Sequence, residues 1–212
     1  MSTWPFADLR VTSAEVQLKL PDDAELEALA ALAAEGIHDP SEMPFGFPWT
    51  DQAPEMRARS TLQHYWSTQA SVTAERWRLA FVVIRDGAVV GTQNVAAEDF
   101  AVCREVHTGS WLGQRHQRRG IGTAMRRAVL DFAFHGLGAE WAISGAFDDN
   151  PSSVAVSRKL GYRDDGIEIR VRRGKPARLI RLRLSRGDWL AQPHEPAQIS
   201  GLEACIPLLG AG

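Results

Sequence analysis

Seven consecutive residues, Gln117-Arg118-Arg119-Gly120-Ile121-Gly122-Thr123, carry the clearest chemistry in this chain. They follow a strand-like apolar run, Gly109 to Leu112, and open onto an amphipathic helical pattern, Ala124 to Leu137. A turn of this kind aims several backbone N–H groups at one point. Glycines at 120 and 122 let a ligand approach where a Cβ would collide. The helix that starts there adds its unpaired first-turn donors and the positive end of its dipole. The chemistry is anion binding, and the anion that fits is a phosphate or pyrophosphate. Arg115, Arg118 and Arg119 add positive charge at the rim. A Gly-x-Gly alone is an ordinary turn; the order strand, basic turn, glycines, helix is what favours the phosphate.

A second group lies about thirty residues on: Asn150-Pro151-Ser152-Ser153, then Lys159-Leu160-Gly161-Tyr162. Asn150 is placed to cap a helix, a role that needs no ligand. His107 is the third candidate, since an imidazole ordinarily titrates near ~6.5 and suits a general base. Glu105, two residues away, shares its face on a strand and can orient the ring. A solvated strand histidine is the plainer alternative. His116 sits beside the glycine turn and reads as surface. Asp148 and Asp149 are either turn residues or a site for a cationic substrate. Arg170, Arg172, Arg173 and Arg178 read as a solvated hairpin face, or as a holder for an acyl carboxylate. No His, Cys, Asp or Glu spacing resembles a metal-ligand set, so no metal is expected.

Two familiar phosphate-binding patterns fail. A P-loop needs Lys directly after its second glycine, and Thr123 stands there. A dinucleotide fingerprint needs a third glycine where Met125 stands. The turn instead resembles the acyl-CoA loop of the GNAT acyltransferases, Gln/Arg-x-x-Gly-x-Gly/Ala, with Gln117, Gly120 and Gly122 at its fixed positions. Asn150-x-x-Ser153 followed by Lys159-Leu160-Gly161-Tyr162 is similar to the RimJ/RimL branch, and Trp111-Leu112 before the loop matches too. Phe45 to Trp49 and Gly109 to Gly113 are similar to a mycobacterial member described as succinyl-CoA-dependent.

The resemblance implies acyl transfer from acetyl-CoA or succinyl-CoA directly to a primary amine of a small molecule, peptide or protein. It implies that Trp111, Leu112, Gly113, Gln117, Arg118, Arg119, Gly120, Ile121, Gly122, Thr123, Asn150 and Ser153 contact the CoA. The Asn150 side chain would bond the pantetheine arm. The N–H of Leu112 or Gly113 would stabilise the oxyanion. Many members place a tyrosine, as acid for the leaving thiolate, where this chain has Ser157; a hydroxyl of Ser153 or Ser157 is the substitute, unless a thiolate at neutral pH needs no acid. Related enzymes often carry Glu where this chain has His107. A non-catalytic acyl-CoA sensor is the alternative function.

These groups need a scaffold. Val16 to Leu20 alternates as a first strand, and Pro21-Asp22-Asp23 opens a helix from Ala24 to Glu35 that Gly36 ends. His38 to Trp49, with three prolines and four large apolar side chains, is an irregular segment, read either as a pocket wall or as a plain loop over the core. Met56 to Gln69 has helical spacing. Leu79 to Ile84 and Ala88 to Val95 are strands joined at Asp86-Gly87, a hairpin signal. Val102 to Leu112 is a third strand of that meander. The helix after the glycine turn stops at Gly136 or Gly138. Trp141 to Phe147 is a strand, and the helix from Pro151 closes at Gly161. Ile167 to Val171 and Ala177 to Leu184 form a hairpin about Gly174-Lys175.

This order predicts an α/β chain of α+β character: a central mixed, mostly antiparallel sheet with helices on both faces. It matches the GNAT fold from about Val11 to Leu184. Residues 1–190 are expected to form one domain and 191–212 an extension, either a mobile end or an added strand. The apolar Ile206 to Leu209 suggests an oligomer contact. With 44% hydrophobic and 24% charged residues and a net charge of −2, the composition is that of a soluble globular protein with no call for nucleic acid. Between Arg115 and Arg127, however, stand five arginines and no acid. No run nears the ~20 apolar residues of a membrane span. Met1 to Pro5 lacks the features of a leader peptide, and a cytoplasmic location is expected. Cys103 and Cys205 are expected to be free thiols.

Overall fold

A computed structural model describes residues 3–212; Met1 and Ser2, where the leader reading begins, lie outside the described residues. Nine strands form one sheet: β1 (Arg10–Thr12), β2 (Gln17–Lys19), β3 (Arg76–Arg85), β4 (Ala88–Glu98), β5 (Glu105–Leu112), β6 (Trp141–Phe147), β7 (Arg163–Arg172), β8 (Lys175–Ser185) and β9 (Gln198–Ser200). Their order is β7-β8-β6-β5-β4-β3-β2-β1-β9. Every neighbouring pair is antiparallel except β5 with β6. The mixed, mostly antiparallel sheet expected from the sequence is the one observed.

Both faces are covered, and β3 shows why its apolar run is unbroken. Leu79, Phe81 and Val83 enter the main core with Met125, Val129 and Phe132. The alternating Ala80 and Val82 are buried on the opposite side, where helix α1 (Asp23–Glu35) brings Leu26, Leu29 and Leu32. Helix α2 (Pro54–Ala70) packs beside α1. A reciprocal capping box starts α1: the Glu25 N–H donates to Asp22 at 2.9 Å and the Asp22 N–H to Glu25 at 2.9 Å. The β3–β4 turn has φ of 51° at Asp86 and 76° at Gly87, the two positive values that a tight hairpin requires.

Three boundaries differ from the sequence reading. The strand expected from Val102 begins only at Glu105, because Phe100–Cys103 form a one-turn helix, α3, between Asp99 and Arg104, both at φ 48°. The helix after the glycine turn, α4 (Ile121–Asp131), widens into a π-helical turn over Phe132–Gly136, and Gly138 at φ 70° supplies the left-handed stop. The tail is not a mobile end. Strand β9 pairs with β1, the Trp77 indole donates to the Leu209 carbonyl at 2.9 Å, and Cys205 and Leu209 are fully buried. Leu209 therefore packs inside its own chain. Helices α5 (Pro151–Lys159) and α6 (Arg186–Leu190) complete the structure. No helix among the described residues is long and apolar enough to cross a membrane.

Candidate active site

Strands β5 and β6 stay paired for only three positions, Glu105↔Trp141, Val106↔Ala142 and His107↔Ile143. Beyond His107, β5 continues along β4 to Leu112 while β6 continues along β8 to Phe147. The strands separate, and the facing edges from Thr108 and from Ser144 lose their ladder. The Gly113 N–H donates to the Val90 carbonyl of β4 at 3.1 Å. Antiparallel alternation then turns the N–H groups of Leu112 and Ser110 to the other edge, into the gap. Of the two oxyanion donors considered, Gly113 is therefore already engaged and Leu112 is free. Gly113 has a steric role instead: a Cβ there would lie 2.3 Å from Leu32 of α1.

The glycine turn stands at the end of this gap. Arg118 has φ 59° and Gly120 φ 81°, curling the chain just before α4. Among the described residues, the backbone N–H groups of Arg118, Arg119, Gly120, Ile121 and Gly122 meet no protein acceptor. Such a run of bare donors at a helix start suits an anion, and is the candidate anion seat. Gly122 has ordinary helical backbone, and the nearest atom to a Cβ built there is Val156, at 3.9 Å. Nothing in the fold demands glycine at 122, so the space it leaves is available to a ligand. The Gln117 side chain donates to the carbonyls of Ile37 at 2.6 Å and Leu112 at 3.0 Å. It braces the loop, and its amide points inward. Arg118 and Arg119 are exposed, Thr123 is half-buried in the first turn, and Trp111 lies on the other face of the sheet, 6.0 Å from the ring of Trp49.

On the α4–α5 side of the gap, Asn150 caps α5: its Oδ1 accepts the Ser153 N–H at 3.2 Å, and its Nδ2 donors have no protein acceptor. Ser153 is half-buried. Ser157 is fully buried, donates to the Ser153 carbonyl at 3.2 Å and accepts from Arg126 at 3.4 Å. The Ser157 proton is thus already engaged by a backbone carbonyl and its oxygen by Arg126. Beside it, Tyr162 is fully enclosed and bonds Thr108 at 3.3 Å. Burial raises its phenol pKa, opposed by the Arg126 charge and by hydrogen bonds with Thr108 and Arg126.

Arg126 itself was hidden in the sequence among the arginines of the loop. It is only 4% exposed and reaches the hydroxyls of Ser144 of β6 at 3.0 Å, Ser110 of β5 at 3.2 Å and Ser157 of α5, with the Tyr162 hydroxyl beside them. The available signal was its position one turn after Gly122 and one turn before Val129 and Leu130, on a buried face.

The opposite face of the sheet carries the other candidates. His107 is 61% exposed at the point where the strands part, and its Nε2 lies 3.7 Å from Glu105. Glu105 in turn accepts from Arg183 at 3.0 Å. The irregular segment is packed as a wall: His38, Phe45, Trp49 and Trp111 form a chain of ring contacts at 5.7, 5.4 and 6.0 Å. The β7–β8 hairpin docks on it through Arg172, which bonds Asp149 and the Met43 carbonyl, and Arg173, which bonds Asp51. Arg170 pairs with Glu168 and Arg178 with Asp148. The hairpin arginines are thus neutralised by the chain's own acids. Asp148 and Asp149 are likewise occupied and do not present a cation site.

His116 accepts from Arg115 Nε at 3.1 Å, and its pKa is lowered, chiefly by burial and then by Arg115 and Arg119. It borders the anion seat as a neutral ring. At the opposite end of α4, Asp131, His135 and His194 hold ligand-type atoms within 4.8 Å of one another, a grouping that spans too much sequence to be read as a motif. The Asp131 carboxylate there accepts from Trp189, His194 and the Ala197 N–H, tying the C-terminal segment to the helix.

Over 93 residues the chain is 27% identical to the Bacillus subtilis (strain 168) protein named Probable N-acetyltransferase YjcK, a match covering 44% of this chain and 51% of that one. The chain thus spans about half the length of that relative. Mycobacterium smegmatis RimJ, solved with CoA-disulfide, superposes with a TM-score of 0.72 at 20% identity, over 94% of this chain and 91% of its own. RimL, a ribosomal L7/L12 α-N-protein acetyltransferase solved with coenzyme A, does so with a TM-score of 0.64 at 16% identity, over 82% and 95%. These structures share the fold. The Acetyltransferase (GNAT) domain matches residues 16–163, from strand β2 to the start of β7, and the chain belongs to that family.

Proposed function

We propose that this protein is an N-acyltransferase of the RimJ/RimL type, which moves an acetyl group from acetyl-CoA directly to a primary amine, with the amino terminus of a peptide or protein as the first acceptor class to test. The observation that carries this reading is the continuity of two features: bare N–H groups from Arg118 to Gly122, then the unpaired gap between β5 and β6. The first suits the pyrophosphate of a CoA thioester. The second suits its extended amide arm, which can use the free strand edges, the Leu112 N–H and the Asn150 amide.

In this account the thioester carbonyl lies against β5, where the Leu112 N–H stabilises the oxyanion as the amine attacks. Holding amine and carbonyl together supplies much of the rate. His107, oriented by Glu105, takes the proton from the acceptor ammonium, directly or through a water, and so frees the amine lone pair to attack. The acceptor enters from the face bearing Trp111 and the aromatic wall. Acetyl is favoured over succinyl because the hairpin arginines, the first candidates for an acyl carboxylate, are each paired with an acid. A cytoplasmic setting, where acetyl-CoA is made, goes with this reading. For self-association, the exposed stripe Ile167, Ile169 and Val171 on the edge strand β7 is better placed than the buried tail.

The test is release of CoA thiol from acetyl-CoA in the presence of a panel of amines: peptides with free and blocked amino termini, a lysine side-chain peptide and a polyamine. Amine-dependent release, with acetylated product found by mass spectrometry, is the expected result. Tight acetyl-CoA binding with no release on any amine would instead favour the acyl-CoA sensor.

A further inference from the structure

Arg126 is a buried cation without a counter-ion. It is 4% exposed, and among the described residues no carboxylate lies within ion-pairing distance of it. Its terminal nitrogens meet only hydroxyls, those of Ser144, Ser157, Ser110 and Tyr162, and its buried Nε has no partner at all. Burying a charge costs several kcal/mol per ion unless something of opposite sign offsets it. Neutral hydroxyl dipoles offset part of that cost. The remaining imbalance points to an anion from outside the chain. The neighbouring phenol does not fill the role, because burial raises the Tyr162 pKa and keeps it neutral.

The position of the guanidinium limits what that anion is. Ser110 and Ser144 stand on the two edges of the gap, just past the last paired positions His107 and Ile143, so Arg126 bridges the opening from the α4 side. Gly122, at the anion seat, is one helical turn away, about 6 Å along α4. An acyl-CoA whose pyrophosphate occupies that seat and whose arm follows the gap carries its thioester past this bridge.

We propose that Arg126 is a catalytic residue that stabilises the CoA thiolate as it leaves the acyl carbon, a role that rests on the acyl-CoA reading of the gap. In the step, the amine nitrogen forms a bond to the carbonyl carbon and the C–S bond breaks. The electron pair goes to sulfur, and the proton lost by nitrogen goes to His107 or water. The sulfur then carries a full negative charge in a site shielded from water, where a fixed guanidinium acts far more strongly than it would in solution. Ser157, at the position where the resemblance leads one to expect a tyrosine acid, is instead a hydrogen-bond partner of this arginine. A cation takes the place of the proton donor.

The direct test is an ultraviolet titration of the thiol of CoA bound to the wild-type protein, with desulfo-CoA as the blank that removes Cys103, Cys205 and tyrosine signals. The bound thiol should ionise at least about one pH unit below free CoA, which makes CoA gain about tenfold in affinity over desulfo-CoA once ionised. Arg126→Met and Arg126→Gln should lose that shift, and lower kcat by about a hundredfold with little change in the donor KM, the size of loss seen when a preorganised donor is removed. Arg126→Lys should retain part of both. If the neutral variants do not fold, the wild-type titration and the lysine variant decide. A bound thiol no more acidic than free CoA overturns the proposal, and so does a shift that persists in Arg126→Met. Loss of a succinyl-CoA preference without any thiol shift would give the guanidinium to an acyl carboxylate and overturn it too. Failure of the wild-type protein to bind either CoA or desulfo-CoA would overturn the acyl-CoA reading itself, and this proposal with it.

Discussion

The Gln117 side chain donates to the carbonyl of Leu112 at 3.0 Å, and so fastens the anion loop to the end of the strand that borders the gap. The same amide donates to the Ile37 carbonyl at 2.6 Å, beyond the end of α1. Gln117→Ala removes both bonds and leaves two part-buried carbonyls unpaired, costing roughly 1–3 kcal/mol. Urea unfolding should show that loss, and titration should show weaker CoA binding because the loop is no longer fixed. Gln117→Glu, which faces two acceptors with a third, should be worse than alanine on both measures.

Gly122 separates binding from folding. A Cβ at this position meets nothing closer than 3.9 Å, and helical alanine is favoured over glycine by roughly 0.5–1 kcal/mol. Gly122→Ala should therefore unfold at slightly higher denaturant concentration while binding CoA less well, and Gly122→Val should remain folded and lose CoA. Gly120 behaves differently. At φ 81° it holds a backbone that costs other residues roughly 1–2 kcal/mol, so Gly120→Ala should lower stability as well.

If His107 is the base, His107→Gln should lower kcat by about 10²–10⁴ while leaving the KM for acetyl-CoA nearly unchanged. Glu105→Gln, which removes the group 3.7 Å from the ring, should lower it less. Steady-state kinetics on both variants, with the acid limb of the pH profile followed in each, checks this. Unchanged kcat in His107→Gln would return the histidine to an ordinary solvated strand residue.

The docking of the β7–β8 hairpin should depend on acid. The Arg172 hydrogen bond holds the Asp149 carboxyl below its usual range, and Arg173 does the same for Asp51. A carboxyl depressed in the folded state contributes fully above its unfolded pKa, ~3.9 for Asp, and that contribution disappears as pH falls through the lower folded value. The hairpin should therefore stay docked at neutral pH and loosen only below about pH 4. Acid titration of the Arg172 and Arg173 side-chain Nε–H resonances reads this directly. Asp149→Asn and Asp51→Asn should loosen the hairpin at every pH. Asp149 and Asp51 are 58% and 43% exposed, so added salt should weaken both pairs.

The backbone frame of the candidate site was legible in the sequence because glycine and asparagine announce their geometry. Asn150 caps α5 as its position implied, and Gly120, read only as a place of close approach, takes a left-handed conformation before α4. What escaped notice depends on tertiary burial. Arg126 and Arg127 are adjacent and chemically alike, yet Arg126 is buried and Arg127 pairs with Glu15 near the surface. Strand β1, three residues long, is too short to show a period and exists because it pairs with β2 and β9, the latter being the added strand that the tail left open. The break at α3 relies on Asp99 and Arg104 taking positive φ, which neither residue type signals as glycine would.

Whether the turn from Gln117 to Thr123 holds CoA decides the function proposed for this protein. Calorimetric titration of the purified protein with CoA and acetyl-CoA, in parallel with the folded Gly122→Val variant, measures that directly. One-to-one binding in the micromolar range by the wild type, absent from the variant, is the predicted result. No heat from either ligand with the wild type, or equal affinity in the variant, would contradict it.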